Sequence, residues 1–152
     1  ITMEITTDSI KELREMTSVS VMQCKKALEE AGGDLARAVV ILKKHSGASA
    51  LKKADRELKA GTIGSYTHDG SIGAMVLLSC ETDFVAKNPE FAALARELAM
   101  HIAAMDPENT ESILEQSYIK DESKTVQNLL DEATQKFGER VLISSFSRLS
   151  AR

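Results

Sequence analysis

Side chains able to do chemistry are present in this chain, but they are not assembled for it. His45, His68 and His101 show no metal-ligand spacing with one another or with Cys24 and Cys80. The glycines are scattered and form neither GxxxxGK[ST] nor GxGxxG, so no phosphate-binding loop is visible. Serines are common, yet none sits in a nucleophile elbow. Acidic residues fall mostly on helix surfaces, where a solvated face is the ordinary explanation. Catalysis by side chains of this protein is therefore not expected, and a binding or regulatory role fits better. One stretch concentrates polar and apolar groups in a short connection: Cys80-Glu81-Thr82-Asp83-Phe84-Val85-Ala86-Lys87-Asn88-Pro89. There Phe84 stands beside the Asp83 carboxylate, with Glu81 and Lys87 close by. Connections held by a rigid scaffold are where function concentrates. Phe84 has two readings on the sequence, a displayed contact residue or a side chain tucked into the core. A hydrophobic staple around an Asn88 cap would pair Lys87 with Ala92, which leaves Phe84 outside it.

The elements that must position this stretch are read from punctuation and periodicity. The apolar run Ala74 to Leu78 before it reads as a buried strand. Asn88 as N-cap and Pro89 at the first helical position start a long helix after it, with Phe91, Leu94, Ala95, Leu98 and Ile102 inward. Asp106-Pro107 ends that helix. Asp69-Gly70 between Thr62–His68 and Ser71–Ser79 is a hairpin signal, because a type I′ turn needs positive φ at both positions. Gly64 and Gly73 within those strands suggest bulges or close backbone approach. Downstream, a short polar helix over Thr110–Gln116 is followed by a helix capped by Ser123, with Val126, Leu129, Leu130, Ala133 and Phe137 inward and Gly138 as its stop. The tail from Arg140 to Leu149 is β-leaning and can add a strand to the hairpin.

Upstream, three short helices are expected. Thr7-Asp8 caps the first, with Ile10, Leu13 and Met16 inward. Ser18 or Ser20 caps the second, with Val21, Cys24, Leu28 and Ala31 on one stripe and Gly32-Gly33 as its stop. Asp34 caps the third, with Leu35, Ala38, Val39 and Leu42 inward, ending at Gly47. Val21 and Met22 are adjacent and cannot both face inward, so one of them shows on the surface. Ala48 to Ala60, rich in good helix formers, reads as a helical linker. The division is thus 1–47 for a three-helix domain, 48–60 for the linker and 61–152 for a core of hairpin, helices and C-terminal strand. Helices, hairpin, helices and strand in that order give an α+β class rather than a parallel α/β sheet.

Composition narrows the partners. A net charge of -4 argues against a dedicated nucleic-acid binder, and 4% aromatics with no Trp leaves little for base stacking. No apolar run approaches the ~20 residues of a membrane span, and no signal peptide is visible. Ile1-Thr2 ahead of Met3 reads as a trimmed start. Cys24 and Cys80 lie on apolar faces without a CxxC pattern, as reduced core residues of an intracellular protein do.

Thr82-Asp83-Phe84-Val85-Ala86-Lys87-Asn88 resembles the signature of the elongation factor Ts family, the exchange factors of the GTPase elongation factor Tu. Ile10–Glu15, Cys24–Leu28, Ala54–Glu57 and Met100–Pro107 resemble that family in the same order, so the likeness covers nearly the whole chain. One departure lies between the first two helices. There the family has a Gly-Ala-Gly followed by two methionines and Asp, and this chain has Ser18-Val19-Ser20-Val21-Met22-Gln23. Only Met22 carries over cleanly, with Val21 as a conservative stand-in. The chain also resembles the compact form of the family, since the Asp-Phe element and the His-bearing helix fall on one hairpin-plus-helix unit.

The resemblance implies a ubiquitin-associated-like fold for the N-terminal helices and an exchange mechanism without bond chemistry. Asp83 and Phe84 would enter between two helices of the GTPase and dislodge its Mg²⁺, with Thr82 and Val85 fixing the shape of the wedge. Lys11, Val21, Met22 and Lys25 would touch the same GTPase domain, and His101 would make a contact on the far side of the core. A homodimer is expected, the second copy supplying the surface of the missing half. No cofactor and no metal of its own are implied, nor any direct nucleic-acid or membrane partner. The place of action would be a cytoplasm or an organelle matrix of bacterial origin. The competing class is an interaction module, a ubiquitin-associated-like domain on an α+β scaffold without exchange activity.

Overall fold

In the computed structural model, residues 3–17 and 19–152 are described. The trimmed start expected at Ile1-Thr2 and the cap expected at Ser18 lie outside them. Three helices open the chain: α1 (Thr7–Thr17), α2 (Val21–Glu30) and α3 (Leu35–Lys52). They close around Leu13, Cys24, Ala27, Leu28, Ala38 and Leu42. The first cap is Thr6 rather than Thr7-Asp8: the Thr6 N–H donates to Ser9 Oγ and the Ser9 N–H donates to Thr6 Oγ1, each at 3.1 Å. Ser20 and Asp34 cap the next two helices, accepting from the N–H groups of Gln23 and Arg37.

Four expectations fail here for physical reasons. Val21 is not on the inward stripe of α2. Cys24, Ala27, Leu28 and Ala31 fill that stripe, Val19 supplies the apolar contact ahead of the cap, and both Val21 and Met22 face outward. Met16, likewise expected inward, is largely exposed, and Thr17 takes the buried position with its hydroxyl bonded to the Leu13 carbonyl. Nor does Gly47 end α3. A mid-helix glycine weakens a helix by only ~1 kcal/mol, and α3 packs along the last long helix with Ser46 buried and hydrogen-bonded to Gln135. The helix therefore runs on to Lys52, and the expected linker helix dissolves into turns before residue 60.

The second core lies under an antiparallel sheet in the order β1 (Ala60–His68), β2 (Ile72–Cys80), β5 (Leu142–Ser150). Asp69 and Gly70 adopt φ of 50° and 67° at the centre of the turn His68–Ser71, closed by the Ser71 N–H donating to the His68 carbonyl at 2.9 Å, with Asp69, Gly70 and Ser71 between the paired His68 and Ile72. The register from Ala60↔Cys80 to His68↔Ile72 is unbroken, so neither glycine marks a bulge in this pair. Gly64 is instead a close-approach site. A Cβ there would stand 2.3 Å from the carbonyl of Ala95, and this lets α5 (Pro89–Met105) lie directly on the strand. Opposite β5, the register of β2 shifts between Leu77 and Leu78.

Phe91, Ala95, Leu98 and Ile102 of α5 pack on Ala74, Val76 and Leu78 of β2. Asp106, in the left-handed region, ends α5. Then come α6 (Thr110–Glu115), a small hairpin of β3 (Ser117–Tyr118) and β4 (Asp121–Thr125), and α7 (Val126–Phe137), which ends at Gly138. Thr125, not Ser123, caps α7 in a capping box with Asn128. Ser123 lies within β4. The fold is α+β, and the outer face of its sheet carries Ile63, Met75 and Leu149 in the open.

Candidate functional site: the turn between β2 and α5

The chain leaves β2 at Cys80 and enters α5 at Pro89. Between them lies a single helical turn, α4 (Asp83–Ala86), with Thr82 as its N-cap. Phe84 is 86% exposed, which settles the choice left open by the sequence: the ring points outward. Asp83 beside it is also exposed. Val85 and Ala86 turn the other way and are buried at 5% and 6%. One turn of helix thus shows an aromatic ring and a carboxylate on one side and is anchored through two apolar side chains on the other.

A four-residue helix does not hold itself together, since the nucleus costs more than one hydrogen bond returns. Its surroundings hold it at both ends. The Thr62 hydroxyl of β1 donates to the Ala86 carbonyl at 2.7 Å. At the other end the Glu139 carboxylate, just past α7, accepts from the N–H groups of Glu81 (3.1 Å) and Thr82 (3.0 Å) and from the Thr82 hydroxyl (2.6 Å). The Glu81 carboxylate in turn accepts from the Arg140 N–H at 2.5 Å and pairs with the Arg56 guanidinium at 3.5 Å. Arg140 closes the ring by donating to the Arg56 carbonyl at 2.9 Å. Beneath this network the Cys80 thiol is pushed up in pKa by burial and by the nearby Glu139 charge. It stays protonated and donates to the Thr82 carbonyl at 3.3 Å.

The remaining sequence candidates occupy two other places. Val21, Met22 and Lys25 are exposed on the first turns of α2, where Val21 and Lys25 are i,i+4 neighbours, and Lys11 is exposed on α1. His101 sits near the far end of α5, about 20 Å from its start at 1.5 Å per residue, and it is fully buried. Its Nδ1 accepts from the Ile119 N–H at 3.2 Å, its Nε2–H donates to Gln116 Oε1 at 2.9 Å, and its ring stacks on Tyr118. As a direct contact it is out of reach. The imidazole pins the β3–β4 hairpin to α5 instead, and burial holds it neutral by lowering its pKa.

Sequence reasoning missed Glu139, Arg140 and Arg56. Their partners lie up to 84 residues away along the chain, and nothing in local spacing announces them. The only local signal is a pair of charges immediately after the Gly138 helix stop.

Among the described residues no group of His, Cys, Asp and Glu is arranged to hold a metal, and no helix is long and apolar enough to cross a membrane. What the geometry offers is a turn tied at both ends that holds one ring and one carboxylate out from an α+β scaffold. The family model described as elongation factor TS matches residues 1–112 and again 81–152, so the turn and α5 fall within both matches. Elongation factor Ts of Thermotoga petrophila is 40% identical over 190 aligned residues, covering 96% of this chain and 96% of that protein. Those of Thermodesulfovibrio yellowstonii and Syntrophobacter fumaroxidans are 37% and 34% identical, with coverage of 96% or more of both chains. The chain belongs to the elongation factor Ts family of translation elongation factors. Since the alignment with the Thermotoga petrophila protein exceeds the 152 residues of this chain, that relative carries stretches without a counterpart here.

Proposed function

We propose that this protein is a guanine-nucleotide exchange factor for elongation factor Tu. A GTPase grips its nucleotide through backbone amides around the phosphates and a bridging Mg²⁺. Release follows when the metal is displaced or the phosphate loop is distorted. In this reading Asp83 and Phe84 enter between two helices of the GTPase, the ring filling an apolar slot and the carboxylate perturbing the metal site. Thr82 and Val85 hold the turn that presents them. Lys11, Val21, Met22 and Lys25 on the N-terminal helices, a ubiquitin-associated-like unit of α1 to α3, bring the GTPase to the core that begins with β1. No bond is made or broken by this chain. Exchange works by linkage, because the factor weakens nucleotide binding by the same ratio as nucleotide weakens binding of the factor.

The observation that carries this reading is the exposure of Phe84 on a turn fixed at both ends. A large apolar ring held in water is unfavourable unless a partner covers it. The test is to mix the protein with elongation factor Tu carrying fluorescent GDP and follow the loss of signal. Faster release is expected, and binding without acceleration would leave only an interaction module.

The same reading includes a homodimer. Ile63, Met75 and Leu149 on the uncovered face of the sheet favour a second copy placed face to face. Light scattering that finds only monomer at micromolar concentration removes this part and leaves the exchange reading standing.

A further inference from the structure

We infer that Glu139 is a positioning residue for the exchange element, acting through Thr82. This rests on the exchange reading above and assigns a role to a side chain far from the ring in sequence. The Glu139 carboxylate spends both oxygens on one target. Oε1 accepts the N–H groups of Glu81 and Thr82, and Oε2 accepts the Thr82 hydroxyl proton. Thr82 passes this restraint on, because the same Oγ1 that donates to Glu139 accepts the Val85 N–H and caps α4. The path from Glu139 to Phe84 therefore runs through one hydroxyl and one helical turn.

The need for such a restraint follows from the anchoring of α4. Val85, Ala86 and the Thr62 bond fix its C-terminal end. Without Glu139, the two N–H groups and the hydroxyl before Asp83 have no protein acceptor, and the turn can swing about its C-terminal anchor. The ring would stay exposed and still meet the partner, but its direction would be spread over many orientations. Precise placement raises the rate of the productive step, whereas a loosely held group still binds. Glu139 itself is well founded: Gly138 is left-handed at the end of α7, and the next residue pair is locked by the Arg140 N–H on Glu81.

The test measures GDP release from elongation factor Tu against concentration of the full chain, for the natural protein, Glu139→Gln and Glu139→Ala. Amide hydrogen exchange at Glu81 and Thr82 is followed in parallel. Glu139→Ala should lower the saturating rate about tenfold, the scale of hydrogen bonds to a charged acceptor. The half-saturating concentration should move by less than about twofold, since the ring and the N-terminal contacts remain. The Glu81 and Thr82 amides should lose protection in the free protein. Glu139→Gln keeps an oxygen that can accept both amides and should stay within about threefold of the natural rate. A natural saturating rate in Glu139→Ala overturns the assignment and leaves the exchange reading intact. So does a loss that only follows the unfolded fraction, or an equal loss in both variants. A natural protein that fails to accelerate release removes the assignment and the exchange reading together.

Discussion

Phe84 and Phe91 stand in one short stretch and meet opposite fates. Phe91 is fully buried, packed edge-on against Phe137 at 5.5 Å between ring centres. Phe84 is held in solvent on the turn just before it. Burying Phe91 needs only the 3.6-residue period of α5 and a sheet for it to lie on. Displaying Phe84 needs a capping threonine, two buried neighbours, a bond from β1 and a carboxylate from beyond α7. A hydrophobic ring goes inward by default, and keeping one outside takes backbone restraints drawn from two other parts of the chain.

The sharpest break of this contrast is truncation at each ring. Phe91→Ala should destabilise the fold by about 3–5 kcal/mol, the range for deleting a large ring from a packed core. Urea unfolding would check it, and a loss below ~1 kcal/mol would mean that the core had closed over the gap. Phe84→Ala should leave stability within about 0.5 kcal/mol. It should instead slow stimulated GDP release tenfold or more, on the order of 2 kcal/mol for an interface anchor. Unfolding of this variant with undiminished exchange per folded molecule would reverse the roles assigned to the two rings.

A third measurement concerns His101, hidden like Phe91 but polar. Its native pKa lies below the ordinary value near 6.5. Between these two values the unfolded chain takes up a proton that the folded chain does not. Stability should therefore fall as pH drops below about 6.5 and show no contribution from this residue above it. Melting temperatures of the natural protein and of His101→Gln across that window would test this, the variant being expected to show the shallower slope. The smallest effect is expected at Lys25→Ala. An exposed charge contact is worth ~1 kcal/mol or less, so the half-saturating concentration should rise a few-fold with the saturating rate unchanged.

What could be read from sequence divides along the same line. The Asp69-Gly70 turn, the helix bracketed by Asn88-Pro89 and Asp106-Pro107, and the stop at Gly138 were legible, because each depends on the φ preference or missing donor of one residue. The β3–β4 hairpin was not, since Ser117 to Thr125 is polar and carries no alternation to reveal a buried face. Val21 fits a helical stripe by spacing, yet the stripe is already full. The pattern says where a side chain could pack and leaves unsaid whether room remains. At the site, the chain segment that displays Phe84 was visible, while the outward direction of the ring was not. That direction depends on Glu139, Arg140 and Thr62, which only the folded chain brings near.

Arg56 lies on the strand-ward side of the turns that follow α3, and its guanidinium and carbonyl are both tied to the base of the Phe84 turn. The N-terminal helices are thus joined to the rest of the chain twice, through the few residues between Lys52 and Arg56 and through the packing of α3 on α7, where Ser46 bonds Gln135. A shelf bracket held by two screws keeps its station when one is loosened, and residues inserted after Lys52 would in the same way leave α3 seated on α7.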